Sequence, residues 1–359
     1  MSGQYELAEP PSDVISAVKF APGSSKRLLV SSWDRFLYVY ETPSPSEADE
    51  GHLTMRIEHR APVLDVCFGA DEETAFTAGL DHDVSMINLE TGRKTVLSTH
   101  EEPVRHVVYS AEQNILISTG WDNTLHVHII ELEENALKHP YSVVSLPSKP
   151  HAVSLSPTKI VVAMASRQVF IYDLAALRLL TSQNAPSDEN PSNNLSIEPW
   201  QQRESALKYM TRAVACMPND EGFAISSIEG RVGVELFDPS DESQARKYAF
   251  KCHRTATEDE DVVYPVNSLA FHPVRTSVFA SGGGDGTVIL WDGDNKRRIR
   301  AFPAFASSVA AMAWGGDGKS AAIGTSPGFE DGTEDIDTSL IRVYIRAVAD
   351  TELRAKGKA

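Results

Sequence analysis

Along most of the chain, apolar and polar residues alternate in runs of about six, the period of β-strands with one or both faces covered. The runs recur in a fixed order: a strand, a turn, a second strand, a tight turn carrying Asp or Gly, and a third strand. The third strand is the clearest. It reads Asp34-Arg-Phe-Leu-Tyr-Val-Tyr40, Asp81-His-Asp-Val-Ser-Met-Ile87, Asp122-Asn-Thr-Leu-His-Val-His128, Arg167-Gln-Val-Phe-Ile-Tyr172, Glu229-Gly-Arg-Val-Gly-Val-Glu235 and Asp285-Gly-Thr-Val-Ile-Leu-Trp291. A seventh copy, Leu340-Ile-Arg-Val-Tyr-Ile345, lacks the turn acid. The first four turns follow one another at close to the roughly 40 to 45 residues of a four-stranded propeller blade, and the later spacings widen where loops intrude.

A blade alone leaves both of its faces bare, whereas seven stacked around an axis cover one another. The pattern therefore predicts an all-β fold, a seven-bladed WD-repeat β-propeller occupying residues 1–359 as one unit. Residues 183–202, rich in Pro, Ser and Asn, read as a polar, mobile inserted loop between blades four and five, and residues 350–359 as a C-terminal tail. The segment Gln4-Tyr-Glu-Leu7 is placed to close the ring by joining the last blade as a strand. Only Leu290-Trp291-Asp292 carries the Trp-Asp pair at the end of a third strand; Trp33-Asp34 and Trp121-Asp122 fall instead at the hairpin turn before it. The turn acids Asp34, Asp81, Asp122 and Asp285 are expected to accept hydrogen bonds within their blades.

Composition narrows the function. A formal charge of −17, from 50 acidic and 33 basic residues, repels a phosphate backbone and argues against a nucleic-acid binder that works through counterion release. Three scattered cysteines fit neither a disulfide framework nor zinc-ligand spacing and point to a reducing compartment. The N-terminus lacks the marks of a signal peptide, and no apolar run is long enough to span a membrane. Gly282-Gly-Gly-Asp-Gly286 is followed by a strand rather than by Gly-Lys-Thr and a helix, so it is a hairpin turn and not a phosphate loop. Glu330–Asp337 lacks the calcium-loop spacing and reads as a solvated acidic loop, and Lys296-Arg-Arg298 as a blade hairpin. No nucleophile elbow or metal-ligand spacing is present, and neither cofactor, metal nor catalytic group is expected.

Two features suggest a docking surface. The residue before each turn acid sits at the rim of the disc, and it is tryptophan at Trp33 and Trp121 where other blades carry Leu80, Ile228 and Gly284. Exposed indoles on one face are typical peptide anchors. Between Arg203 and Arg254, eight basic residues match eight acidic ones, a neutral island in an acidic molecule. Within it Arg212, Arg231 and Lys251 occupy strand ends of one blade, where they would bind carboxylates or a phosphate through charge-assisted hydrogen bonds.

Several strings carry a resemblance that spans essentially the whole chain. Ser31-Ser-Trp-Asp34, Gly120-Trp-Asp122, Arg203-Glu-Ser-Ala-Leu-Lys-Tyr-Met-Thr-Arg212, Ser226-Ser-Ile-Glu-Gly-Arg231, Tyr248-Ala-Phe-Lys-Cys-His-Arg254 and Tyr264-Pro-Val-Asn267 resemble the spindle-checkpoint propellers of the budding-uninhibited-by-benzimidazole group. The nuclear-pore messenger-RNA export propeller shares the Ser-Ile-Glu-Gly-Arg and Phe-Lys-Cys-His-Arg strings, and a GLEBS-binding export adaptor is the alternative reading. The resemblance implies a non-enzymatic adaptor that binds the acidic GLEBS segments of a checkpoint kinase and its pseudokinase relative. It would also read phosphorylated Met-Glu-Leu-Thr repeats of the kinetochore scaffold. By that likeness Trp33, Trp121, Glu204, Lys208 and Arg212 form the GLEBS surface, while Arg231 and Lys251 take the phosphothreonine. The implied setting is a monomeric propeller in a hetero-complex in the nucleus, at kinetochores in mitosis, with no membrane or direct nucleic-acid contact. The 183–202 insertion departs from the family pattern; through Trp200 it is placed where it would fold over the binding face, although a solvated linker is the simpler reading.

Overall fold

The computed structural model describes residues 3–43, 50–130, 140–184, 192–256, 261–328 and 336–354. Among the described residues seven mainly antiparallel blade sheets follow one another along the chain, as in blade one with Ile15–Phe20, Arg27–Ser32, Phe36–Glu41 and His52–Glu58, besides a two-stranded ribbon of Arg254–Ala256 and Asp261–Val263. The first strand of each blade lies innermost. These strands, Ile15–Phe20, Val63–Phe68, Val104–Ser110, Pro150–Leu155, Thr211–Cys216, Val266–Phe271 and Val309–Trp314, touch in order, and the seventh returns to the first. The expected seven-bladed disc is therefore closed.

Its apolar residues show why seven blades are needed. Among the described residues the buried side chains fall into seven clusters, each shared by two adjacent blades: Leu29, Leu37 and Val39 meet Val66 and Phe68, for example, and Val288 and Leu290 meet Val309 and Ile323. Second strands such as Arg27–Ser32 and Ile115–Gly120 are buried almost throughout, which is why they read as continuous runs of apolar and small residues. No blade owns a core, so the ring is stable only when complete.

The N-terminus completes it. Gln4–Glu6 pairs antiparallel with Arg342–Ala347 as the outer strand of blade seven, with Tyr5 opposite Ile345. The Leu7 N–H donates to Val343 O at 2.9 Å, Glu6 meets Arg342 at 2.6 Å, and the Leu7 side chain is buried with Tyr40 and Ile341.

The turn acids bind as their chemistry requires, partly within their blades and partly to the loop leading into them. Asp285 accepts from His253 at 2.9 Å, and His253 bonds Ser281 at 2.8 Å, which also receives the Trp291 indole N–H at 2.8 Å. Blade three repeats the chain with Asp122, His100 and Ser118, but places His128 where blade six has Trp291. His126 stacks on His100 with ring centroids 3.5 Å apart and planes 11° from parallel. His100, Asp122 and His126 lie close enough together to suggest metal ligands. In-plane lone pairs of two stacked imidazoles cannot meet at one ion, so these rings pack rather than chelate.

Buried histidines give the fold an acid limit. Burial pushes His59 down to about 4, helped by Lys94, and pushes His126 down to about 2, helped by His100 and His128. These rings stay neutral in the folded protein but take up a proton near pH 6.5 when unfolded. Stability is thus full above about pH 6.5 and falls as pH drops towards 4, by a few kcal/mol in total. Melting temperatures measured from pH 7.5 to 4.5 should decline across that window, and a flat profile would contradict the assignment.

Blade four departs from the plain repeat. Its third strand, Gln168–Asp173, runs into a helix, Leu174–Gln183, whose first turn is capped by the Asp173 carboxylate accepting the Ala176 N–H at 2.9 Å. Leu174 and Leu177 pack into the cluster between blades three and four. Of the segment 183–202, residues 185–191 lie outside the described residues. Ser192–Asn194 adds a fifth, parallel strand to blade three, and Gln201–Glu204 is the outer strand of blade four. Trp200 stands at the opposite end of that strand from Glu204, edge-on to Phe237 at 6.4 Å and beneath the Lys159 ammonium, so it does not cover the face that carries Trp33. Within the acidic loop, residues 329–335 lie outside the described residues, as do 355–359 of the tail. The tail's start is anchored: Leu353 is buried, and Glu352 pairs with Arg300 and Arg346. Lys296 occupies a left-handed turn between Val288–Asp292 and Arg297–Ala301, the expected hairpin.

Candidate peptide-docking face

In a blade whose strands run alternately up and down, the starts of the first and third strands share one face of the disc with the ends of the second and fourth. Trp33 and Trp121 lie in second-to-third turns, Glu204 and Lys251 end fourth strands, Arg212 is near the start of a first strand, and Arg231 starts a third. Lys208 is in the connector between Glu204 and Arg212. All seven candidate residues therefore occupy one face.

They do not form a single site. A cavity of about 650 Å³ opens at the centre of that face and is lined by Trp33, Trp121 and Arg212 among others. Glu204, Lys208, Arg231 and Lys251 lie outside it, over blades four and five.

The construction of the mouth is uniform. In every blade the pairing of first and second strands skips one residue: Ser16, Leu64, Arg105, His151, Arg212, Asn267 and Ala310. A bulge of this kind re-aims the extra side chain. All seven skipped residues line the cavity. The bulges thus decide what the central mouth is made of.

Two of the seven are arginines. Arg212 donates from Nε and Nη2 to Asn267 Oδ1 at 3.1 and 2.8 Å, and Arg105 donates to Leu64 O at 3.0 Å. Burial disfavours the charge on Arg105, with Asp65 opposing that effect and Arg212 adding to it, so the two guanidinium groups feel each other across the mouth. His151 is pushed down by burial and by Lys149 and therefore remains neutral. The Lys149 ammonium sits 5.2 Å from the centre of the Trp121 ring. Around the mouth, Trp33 is 41% exposed and Met210 47%, with Tyr209, Ile228 and Ile336 also exposed. Apolar side chains held in water beside fixed cations suit a segment that brings both acidic and apolar residues.

The second group is compact. Arg231 and Lys251 are direct cross-strand partners on the third and fourth strands of blade five. Glu229 Oε2 lies 3.4 Å from Arg231 Nε, and Glu204 pairs with Arg167 at 2.9 Å.

The family described as WD domain, G-beta repeat matches residues 92–128 and 250–292. The chain is 38% identical over 357 residues to mitotic checkpoint protein BUB3.1 of Arabidopsis thaliana, covering 99% of this chain and 96% of that one. It is 34% identical over 359 residues to mitotic checkpoint protein bub-3 of Caenorhabditis elegans, covering 98% and 96%. The chain belongs to the BUB3 family. Protein RAE1 of Arabidopsis thaliana is also similar, at 31% identity over 354 residues, 98% of this chain and 93% of that one. Within that one organism the BUB3 relative is the nearer of the two.

In this BUB3-family chain the face thus carries, besides the two indoles and the blade-five cations expected from the sequence, Arg105, Lys149, His151 and the exposed Tyr209-Met210 pair, which the sequence pattern did not single out. Arg105 and His151 are interior positions of strand patterns. Only the skipped pairing shows that they face the mouth.

Proposed function

We propose that this propeller is a non-enzymatic adaptor of the spindle assembly checkpoint, working in the nucleus and at mitotic kinetochores. It grips the acidic GLEBS segments of the checkpoint kinase and its pseudokinase relative with Trp33, Trp121 and Arg212, flanked by Glu204 and Lys208. It reads phosphorylated Met-Glu-Leu-Thr repeats of the kinetochore scaffold with Arg231 and Lys251, and so brings the kinase to the scaffold. The observation that carries this reading is the presence on one face of an apolar mouth with fixed cations and, separately, a cross-strand Arg-Lys pair. Two ligands can then be held at once. A doubly charged phosphate gains most from a guanidinium fork beside an ammonium.

The likeness to RAE1 supports a second reading, an export or nuclear-pore adaptor that also holds a GLEBS segment. Titrating the protein with a Met-Glu-Leu-Thr peptide, phosphorylated and not, with and without a GLEBS peptide, separates the two. Preference for the phosphorylated peptide, lost on Arg231→Ala or Lys251→Ala, is the expected result. Equal affinity for both forms, or tight RNA binding at physiological salt, favours the export reading.

A further inference from the structure

The Arg231–Lys251 pair contains its own opponent. Like charges directly across an antiparallel pair repel, and a nearby counter-charge relieves the strain. Glu229 supplies that charge, two residues before Arg231 in the same turn. Its contact with Arg231 is an ion pair without a directional bond: among the described residues Nε is buried and has no hydrogen-bond partner, and the carboxylate oxygen stands 3.4 Å away. The turn itself is held by other means. The Glu229 carbonyl accepts from Arg254 Nη2 at 2.7 Å, and Gly230, at φ +64°, lies so close to Cys252 O that a Cβ there would approach to 2.6 Å. The backbone of the turn is therefore held without the Glu229 side chain, whose charge is set against Arg231.

We propose that Glu229 is a built-in attenuator of the anion site, an affinity-determining residue that holds phosphate binding below what the two cations alone would give. This rests on the phosphopeptide reading above. Its carboxylate lowers by one unit the positive charge that Arg231 and Lys251 present. A bound phosphate reaches the exposed end of Arg231 while Glu229 stays beneath it, so the carboxylate repels whatever anion binds, in proportion to that anion's charge. Binding stays weak and reversible, which suits a reader of repeated sites that must release when the phosphate is removed.

The sign and the scaling can both be tested with Glu229→Gln, which keeps the shape and removes the charge. Three peptides of one Met-Glu-Leu-Thr sequence serve as probes: with phosphothreonine, with Glu in place of the threonine, and with unmodified threonine. At about 6 Å in a water-like dielectric, one removed charge raises affinity for a monoanion about threefold and for a dianion about tenfold. The gain for the phosphothreonine peptide should be close to the square of that for the peptide with Glu in its place, smallest for the unmodified threonine, which brings no charge to the site, and smaller as salt rises. A merely structural role would move all three peptides together and would show no salt dependence. Unchanged or weaker phosphopeptide binding by the variant, with a wild-type melting temperature, overturns the proposal while leaving the phosphopeptide reading intact. A wild-type protein that does not prefer the phosphorylated peptide overturns both.

Discussion

Removal of residues 1–10 should lower the melting temperature by about 5 to 10 °C and expose the edge of blade seven. The loss has several parts. Three cross-strand residue pairs with Arg342–Ala347 disappear, as do the Glu6–Arg342 contact and the buried Leu7 side chain. Burial of a leucine alone is worth about 2 to 5 kcal/mol when truncated to alanine. In a chain of this size each kcal/mol moves the midpoint by roughly 1 to 2 °C. The consequence is not local, because the cluster that Leu7 joins is the one between the last blade and the first, which closes the ring. The newly bared strand, Arg342–Ala347, would offer unpaired backbone to other chains. Calorimetry with light scattering checks both effects; an unaltered midpoint and a monodisperse truncated protein would show that the ring closes without its latch. Leu7→Ala should reproduce part of the shift without removing the strand.

The second large effect concerns the mouth. Trp33→Ala and Trp121→Ala should each weaken GLEBS-peptide binding by about 2 kcal/mol or more, roughly thirtyfold, the loss expected for aromatic anchors at the centre of an interface. Trp33 is 41% exposed and belongs to none of the seven clusters, so its removal should lower the melting temperature only slightly. Trp121 lies under Lys149, and its loss should also reduce the sensitivity of binding to salt by freeing that ammonium from its fixed place. Isothermal titration at two salt concentrations separates the apolar part from the ionic part. Wild-type affinity in both variants would remove the indoles from the site and leave the cations as its only support.

Both predictions start from features readable before any coordinates. The alternation of Asp34–Tyr40 and its copies specifies strands, since a period of two sends every other side chain to the same face. Their recurrence specifies blades, and the Gln4–Leu7 strand could be assigned to the last of them because a ring needs closing. Trp33 and Trp121 stood out because the equivalent positions of other blades are not aromatic. Arg212, Arg231 and Lys251 could be assigned to strand ends of one blade because Arg231 follows the Glu229-Gly230 turn, Arg212 starts the first strand and Lys251 lies on the last.

Tertiary structure decided the rest, and it did so where pairing rather than patterning governs direction. Nothing in the run Val104-Arg-His-Val reveals that Arg105 is skipped by its partner strand; the skip arises from matching two twisted strands at the crowded centre of the disc, which a local pattern does not encode. The same matching set Arg105, His151 and Arg212 around one mouth although they are far apart in sequence. Glu229 and Arg231 are close in the chain, yet only the register that puts Lys251 opposite Arg231 turns them into an anion site with its own counter-charge. The parallel strand Ser192–Asn194, within the polar insertion, and the helix Leu174–Gln183, just before it, were not legible because both pack against the neighbouring blade. Local sequence thus specified the blades and their order, whereas which side chains face the axis was settled by contacts between segments the chain brings together only when the ring is complete.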